Sequence, residues 1–286
     1  MNTHISDYRI VADSAANVTE LSGVSFRCAP MKIITDEKEY IDNSELNTAA
    51  MVEELRGYCG PSSTSCPNPD EWLNAFGNRK YVFAVAITSA LSGSYNAALT
   101  AKGIYEAEYP DRKVFLVDSL SAGPEEALIV EKLEALIESG MEFEDICREI
   151  TAFQKRSGLY FMLESLKNMA NSGRLNHALA KITGLLGIRI VGRASDHGTL
   201  EPTDKCRNLA RSLDTIVRRL QEQGFRSGKV QIAHCFNEEG AQALKEKLLA
   251  HFPSASVFIQ KTRGICSFYA EKGGLMVGYA LNEMTL

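Results

Sequence analysis

The chain contains 286 residues, with 31 Lys and Arg against 36 Asp and Glu, which gives a formal net charge of −5 at pH 7. Its 45% hydrophobic and 23% charged residues are typical of a globular protein, and the length fits two domains. A mildly acidic chain lacks the basic surface that nucleic acids or anionic bilayers require, so small molecules and proteins are the expected partners.

The first half of the chain alternates short apolar runs with amphipathic segments. This alternation predicts a mainly parallel wound sheet covered by helices. We expect strands at 8–12, 81–87 and 113–117, and helices at 49–58, 70–77, 94–109, 124–139 and 144–156.

The second half has a different texture and predicts a second α/β domain. We expect strands at 159–163, 188–192, 229–233 and 256–260, and helices at 165–171, 176–181, 206–223 and 238–251. A glycine-rich segment at 273–280 should lead into a last strand. The predicted fold class is therefore α/β with two α/β domains, residues 1–157 and 158–286.

Seven cysteines are scattered along the chain, without C-x-x-C spacing or a nearby histidine pair. This pattern predicts reduced thiols and no metal site. The N-terminal residues lack a secretion signal, and no stretch reaches the roughly 18 apolar residues of a membrane span. We therefore expect a cytoplasmic protein.

Hydroxyl-rich loops follow the predicted strands. Asp13 and Ser14 follow the first strand, residues 88–94 follow the second and Asp118 follows the third, while residues 62–69 offer further hydroxyls. Because the carboxyl ends of parallel strands share one edge of a sheet, these loops predict a ligand site there. The 88–94 loop opens a helix and suits a small anion, although such residues also serve as helix N-caps.

The sequence contains no G-x-S-x-G, H-E-x-x-H, G-x-x-x-x-G-K-[ST] or G-x-G-x-x-G motif. An enzyme acting on a small anionic or phosphorylated substrate remains an alternative, with Asp13, Asp118 or His234 as the base. Each of these side chains can equally have a structural role. A signalling protein whose ligand tunes partner binding is a third interpretation.

Arg174 follows Gly173 in a predicted turn between two short helices. An arginine on an exposed turn is either solvated or anchors an acidic partner.

Several short motifs, in order along the whole chain, resemble the DegV family of bacterial fatty-acid-binding proteins, which includes the fatty-acid-binding subunits of fatty acid kinase. V-A-D-S at 11–14 is one, S-T-S-C-P at 63–67 corresponds to the family's T-S-Q-P, and I-T-S-A-L-S-G-S-Y at 87–95 resembles I-S-S-x-L-S-G-T-Y. S-G-R-L at 172–175 resembles G-G-R-I, and His234 lies in a matching strand segment.

The resemblance implies a protein that is not itself catalytic, has no cofactor and buries a long-chain fatty acid in a tunnel between its two domains. By the same resemblance, a separate fatty acid kinase phosphorylates the presented carboxylate for phospholipid synthesis. Arg174 is the residue that would engage the kinase. The expected carboxylate ligands are Thr64, Ser65, Ser92, Gly93, Ser94 and Tyr269.

Tyr269 marks a departure from the family, because it occupies the place of a histidine in the family's T-H-T-G-P-G segment. A phenol can donate a hydrogen bond but carries no positive charge near pH 7. A second departure is Cys66, which replaces a glutamine. Since neither head-group loop contains Lys or Arg, we expect a neutral or half-protonated fatty acid.

Overall fold

The computed structural model describes residues 5–175 and 187–282. The predicted helix at 176–181 lies outside the described residues. The described strands are β1 (Tyr8–Asp13), β2 (Phe26–Ala29), β3 (Lys32–Thr35), β4 (Glu39–Ile41), β5 (Ser62–Ser65), β6 (Tyr81–Ala86), β7 (Lys113–Asp118), β8 (Ser157–Leu163), β9 (Arg189–Ala194), β10 (Leu200–Cys206), β11 (Gly228–His234), β12 (Ala255–Lys261) and β13 (Leu275–Leu281). The described α-helices are α1 (Thr48–Gly57), α2 (Pro69–Phe76), α3 (Ser94–Glu108), α4 (Pro124–Glu138), α5 (Phe143–Gln154), α6 (Lys167–Asn171), α7 (Leu209–Glu222), α8 (Glu238–His251) and α9 (Gly264–Ala270).

The N-terminal sheet is parallel throughout and has the strand order β2-β1-β6-β7. Helices cover both of its faces, so all six residues of β1 are buried. On one face Ile10 packs with Leu133 of α4, and on the other Val11 packs with Trp72 of α2. The predicted parallel sheet, and with it the α/β fold class, is confirmed.

The second large sheet has six strands in the order β10-β9-β8-β13-β11-β12, and only β11 and β12 run parallel. Helices α7 and α8 cover one face, while the opposite face of β8 turns towards the N-terminal half of the chain. Helix α4 contacts both large sheets. A Cβ at Gly278 of β13 would lie 2.5 Å from the Glu125 nitrogen, so glycine allows this close approach.

A small antiparallel sheet, β4-β3-β5, was not predicted. Its strands are short, and β5 consists only of serine and threonine, so hydrophobic periodicity does not reveal it. Strands β2 and β10 and helix α9 were also missed. The predicted helix at 206–223 starts too early, because Cys206 ends β10 and the Asn208 side chain caps α7 by accepting from the Arg211 N–H at 2.9 Å.

The predicted boundary between 157 and 158 falls at the start of β8, the first strand of the six-stranded sheet in the chain. The division into two domains at this point stays a prediction. Helix α4 precedes the boundary and packs on β13, so extensive contacts cross it.

The buried carboxyl groups of Asp13 and Glu126 face each other where β1 meets α4. Burial raises the pKa of Asp13 to about 6. Burial and the nearby Asp13 charge raise the pKa of Glu126 well above its ordinary value. The adjacent Glu125 is also buried, which raises its pKa to about 7.

These groups oppose folding at high pH. A raised pKa keeps the folded state protonated after the unfolded chain has released its protons, so stability falls as the pH rises from 5 to 8. We expect Glu126→Gln to remove at least about 1 kcal/mol of this loss, because glutamine has the shape of the protonated acid but does not ionise. Urea denaturation at both pH values measures the effect, with Glu239→Gln on the exposed surface of α8 as the control. Parallel pH profiles for all three proteins would contradict the assignment.

Candidate functional site

A cavity of about 240 Å³ lies between the small sheet, the start of α3, the helix α9 and the inner face of β8. Most of its lining is apolar, and the polar side chains come from β5, the loop before α3, α9 and the turn after α6. The apolar lining consists of Ala15, Met31, Ile87, Leu91, Ala122, Leu159, Phe161, Leu163, Met169, Leu200, Ile265, Cys266, Ala270 and Met276. A cavity of this kind suits a ligand with a long apolar part and one polar group.

Thr64 and Tyr269 form a hydroxyl pair at the cavity, with their oxygens 2.7 Å apart. Thr64 is held in β5 by its pairing with Ile33 of β3. Tyr269 lies on α9, whose first N–H groups, those of Gly264 and Ile265, donate to the buried Asp42 carboxylate at 3.0 and 2.8 Å. Asp42 therefore fixes the helix that carries the tyrosine.

Ser92 and Gly93 line the same cavity from the loop before α3. The Ser92 hydroxyl oxygen accepts from the Ser94 N–H at 3.2 Å, which leaves its proton available to donate to a ligand. A Cβ at Gly93 would lie 3.3 Å from the Cys66 sulfur, so a larger residue would crowd the contact between the two loops. Ser65 and Cys66 also line the cavity.

The predicted role of Ser94 as a ligand does not fit the geometry. Its buried hydroxyl donates to Asp13 at 2.6 Å, and Ser94 is not part of the cavity lining. The first turn of α3 directs this side chain into the core. There it joins the N–H groups of Ala15 and Ile87, which donate to the same carboxyl at 3.1 and 3.0 Å.

Arg174 is half-buried and lines the cavity, whereas the sequence predicted an exposed position. The turn before it is as expected, with Gly173 at a φ of +71°. The Arg174 guanidinium donates to the Ser172 carbonyl at 2.5 Å, and its charge acts on the Cys66 thiol, whose pKa is raised mainly by burial. The tertiary structure thus brings a cation to a site whose two loops contain none.

The residues considered as catalytic bases are engaged elsewhere. Asp118 accepts from the N–H groups of Ser89 and Leu120 at 3.1 and 3.2 Å. The His234 Nδ1 accepts from the Asn237 N–H at 3.2 Å, and burial lowers the pKa of this histidine. The lining of the cavity includes none of Asp13, Asp118 and His234.

Two further observations concern the described residues only. The described residues contain no group of three or more His, Cys, Asp and Glu side chains arranged to hold a metal ion. No helix among them is both long and apolar enough to cross a membrane.

Sequence reasoning missed Asp42 as the anchor of α9 and the cavity wall formed by β8. The wall residues Leu159, Phe161 and Leu163 alternate along the strand, but a strand buried on both faces shows no polar alternation to mark the ligand side.

Comparisons with known proteins show which chains this one is similar to. It is 39% identical over 279 residues to a DegV domain-containing protein of Streptococcus pneumoniae, covering 96% of this chain and 99% of the relative. Two solved structures superpose with a TM-score of 0.93 and cover 96% of this chain. One is a DegV family protein from Eubacterium eligens loaded with heptadecanoic acid, with 38% identity and 100% of its chain covered. The other is the Streptococcus pneumoniae Fatty Acid Kinase (Fak) B3 protein loaded with linoleic acid, with 39% identity and 99% of its chain covered.

The family model described as "Uncharacterised protein, DegV family" matches residues 7–282, almost the whole chain. The chain therefore belongs to the DegV family.

Proposed function

We propose that this protein binds a long-chain fatty acid in the cavity and presents its carboxylate to a separate kinase. The observation that carries the proposal is the cavity itself, which combines apolar walls with the Thr64–Tyr269 hydroxyl pair. Two relatives of the same fold, at 38% and 39% identity, were solved with fatty acids bound, which supports the same ligand class here.

The acyl tail supplies the affinity. Moving about fifteen methylenes out of water is worth roughly 12 kcal/mol, at about 0.8 kcal/mol each. This gain exceeds the cost of burying a carboxylate that receives good hydrogen bonds. The apolar walls therefore hold the ligand, and the hydroxyl groups orient it.

The polar group of the ligand is a carboxylate in this proposal. Thr64, Ser92 and Tyr269 supply hydroxyl donors, with Ser65 and Gly93 beside them. Arg174 lines the same cavity, and a nearby cation favours the ionised form of a carboxylic acid. We therefore replace the expected neutral head group with an ionised one.

The phosphoryl transfer requires a second protein. The chain has no phosphate-binding G-x-x-x-x-G-K-[ST] loop, and its Asp13, Asp118 and His234 side chains satisfy other groups of the fold. The pneumococcal relative is described as a Fatty Acid Kinase B3 protein, which favours a kinase as the partner. The proposed role is that of a non-catalytic cytoplasmic subunit whose bound acid becomes an acyl phosphate for phospholipid synthesis.

Removing a head-group hydroxyl should weaken binding of hexadecanoic acid. We expect Thr64→Val and Ser92→Ala each to raise its Kd by about 5-fold to 100-fold, because a charge-assisted hydrogen bond is lost in a buried site. Titration with the delipidated protein measures this. Ser63→Ala is the matched control, since Ser63 is the exposed neighbour of Thr64 on the same strand. Unchanged affinity in both variants, with folding intact, would show that these hydroxyls do not bind the ligand.

Tyr269→Phe tests the tyrosine in the family's histidine position. The ring remains and the hydroxyl is lost, so we expect a rise in Kd of about 3-fold to 30-fold. Because the Thr64 and Tyr269 oxygens are 2.7 Å apart, the double variant should deviate from additivity by at least about 0.5 kcal/mol. Strict additivity in the same titration would argue against a shared role of the two hydroxyls.

Arg174→Ala tests the proposed contact with the kinase. With the fatty acid at concentrations that saturate both proteins, we expect acyl-phosphate formation with the cognate kinase and ATP to fall by at least about 30-fold, because truncation also leaves an acidic partner unpaired. Folding stability should change by less than about 1 kcal/mol, since the side chain is only half-buried. Arg211→Ala, on the exposed surface of α7, is the control. Equal rates for wild type and Arg174→Ala would remove the arginine from the kinase interface.

A further inference from the structure

One strand forms a continuous wall of the acyl cavity. Leu159, Phe161 and Leu163 of β8 all line it, and each is at most 3% exposed. At a rise of about 3.3 Å per residue, the backbone positions of Leu159 and Leu163 lie about 13 Å apart along the strand. The two leucines would therefore face different parts of an extended ligand.

The Leu163 end is the end near the hydroxyl pair. Beyond Leu163 the chain enters α6, which contacts β5, the strand of Thr64. Helix α6 also reaches α9, where the Asn168 side chain donates to the Phe268 carbonyl at 2.7 Å, next to Tyr269. Leu159 consequently lies at the end away from the head group.

A second cavity, of about 250 Å³, adjoins the wall at Leu159. Leu159 lines both cavities, and the second one is mainly polar. It is lined by Glu125, Ser157 and Arg193, with the Ser157 hydroxyl donating to the buried Glu125 carboxyl at 2.8 Å. Apolar methylenes gain little in such surroundings, and their entry would remove water from polar groups.

Leu159 is shared by the linings of the two cavities. We infer that this side chain closes the far end of the acyl cavity and limits the length of the fatty acid that binds. The inference rests on the proposed function and adds a specificity-determining residue to it. Leucine has three more side-chain carbons than alanine, so its truncation would extend the acyl cavity at this end.

The test compares two identical substitutions on the same face of the same strand. Delipidated wild type, Leu159→Ala and Leu163→Ala are titrated with hexadecanoic acid and icosanoic acid. We expect the affinity for icosanoic acid relative to hexadecanoic acid to rise by at least about tenfold in Leu159→Ala. Leu163→Ala creates a similar cavity near the head group, so its ratio should stay within about threefold of wild type.

A second variant approaches the same wall from the opposite direction. Leu159→Phe fills the far end of the cavity. It should therefore lower the affinity for octadecanoic acid by at least about tenfold relative to the affinity for tetradecanoic acid. This comparison keeps the inference testable if Leu159→Ala does not fold. Thermal melting of each delipidated variant establishes folding before titration.

The outcomes separate the two levels of the proposal. If the preference for chain length is unchanged in the variants at position 159, the inference is wrong. The same holds if this preference shifts equally in Leu159→Ala and Leu163→Ala. Neither result would argue against fatty acid binding itself. Failure of wild type to bind any of the acids would instead refute the proposed function.

Discussion

The carboxyl group of Asp13 organises the edge of the parallel sheet on which the site is built. It receives the N–H groups of Ala15 and Ile87 and the hydroxyl of Ser94, so it joins the ends of two strands to the first turn of α3. Ser92 and Gly93 lie immediately before that turn and take their positions from it. Burying a carboxyl without a cation is unfavourable, which is why its pKa rises to about 6.

A second buried carboxyl has the same role for the other half of the site. Asp42 follows β4 and accepts from the first N–H groups of α9, more than two hundred residues later. Burial raises the pKa of Asp42, and these hydrogen bonds offset part of that effect. The helix in turn places Tyr269 beside Thr64. The site is thus assembled from distant segments by two aspartates that do not line the cavity.

The electrostatics of the polar end differ from what its loops alone suggest. Neither the loop of Thr64 nor that of Ser92 contains a cation, but the turn after α6 brings Arg174 to the cavity. A carboxylate there would face hydroxyl donors and a positive charge that is only half-buried. The Arg174 guanidinium can both neutralise a bound carboxylate and remain accessible to a partner protein. In the proposed function it therefore acts in fatty acid binding and in the contact with the kinase.

The sequence by itself determined the parallel sheet and most of the helices, because strands such as Tyr81–Ala86 are continuous apolar runs and the helices repeat apolar residues at helical spacing. The motif resemblance also predicted Thr64, Ser92 and Tyr269 as ligand residues, and all three line the cavity. Only the tertiary structure decided that β5 is a strand, that Ser94 turns to Asp13 and that Arg174 lines the cavity. These features depend on partners far apart in the chain, and local periodicity carries no information about which distant backbone N–H, carboxyl group or strand a side chain will meet.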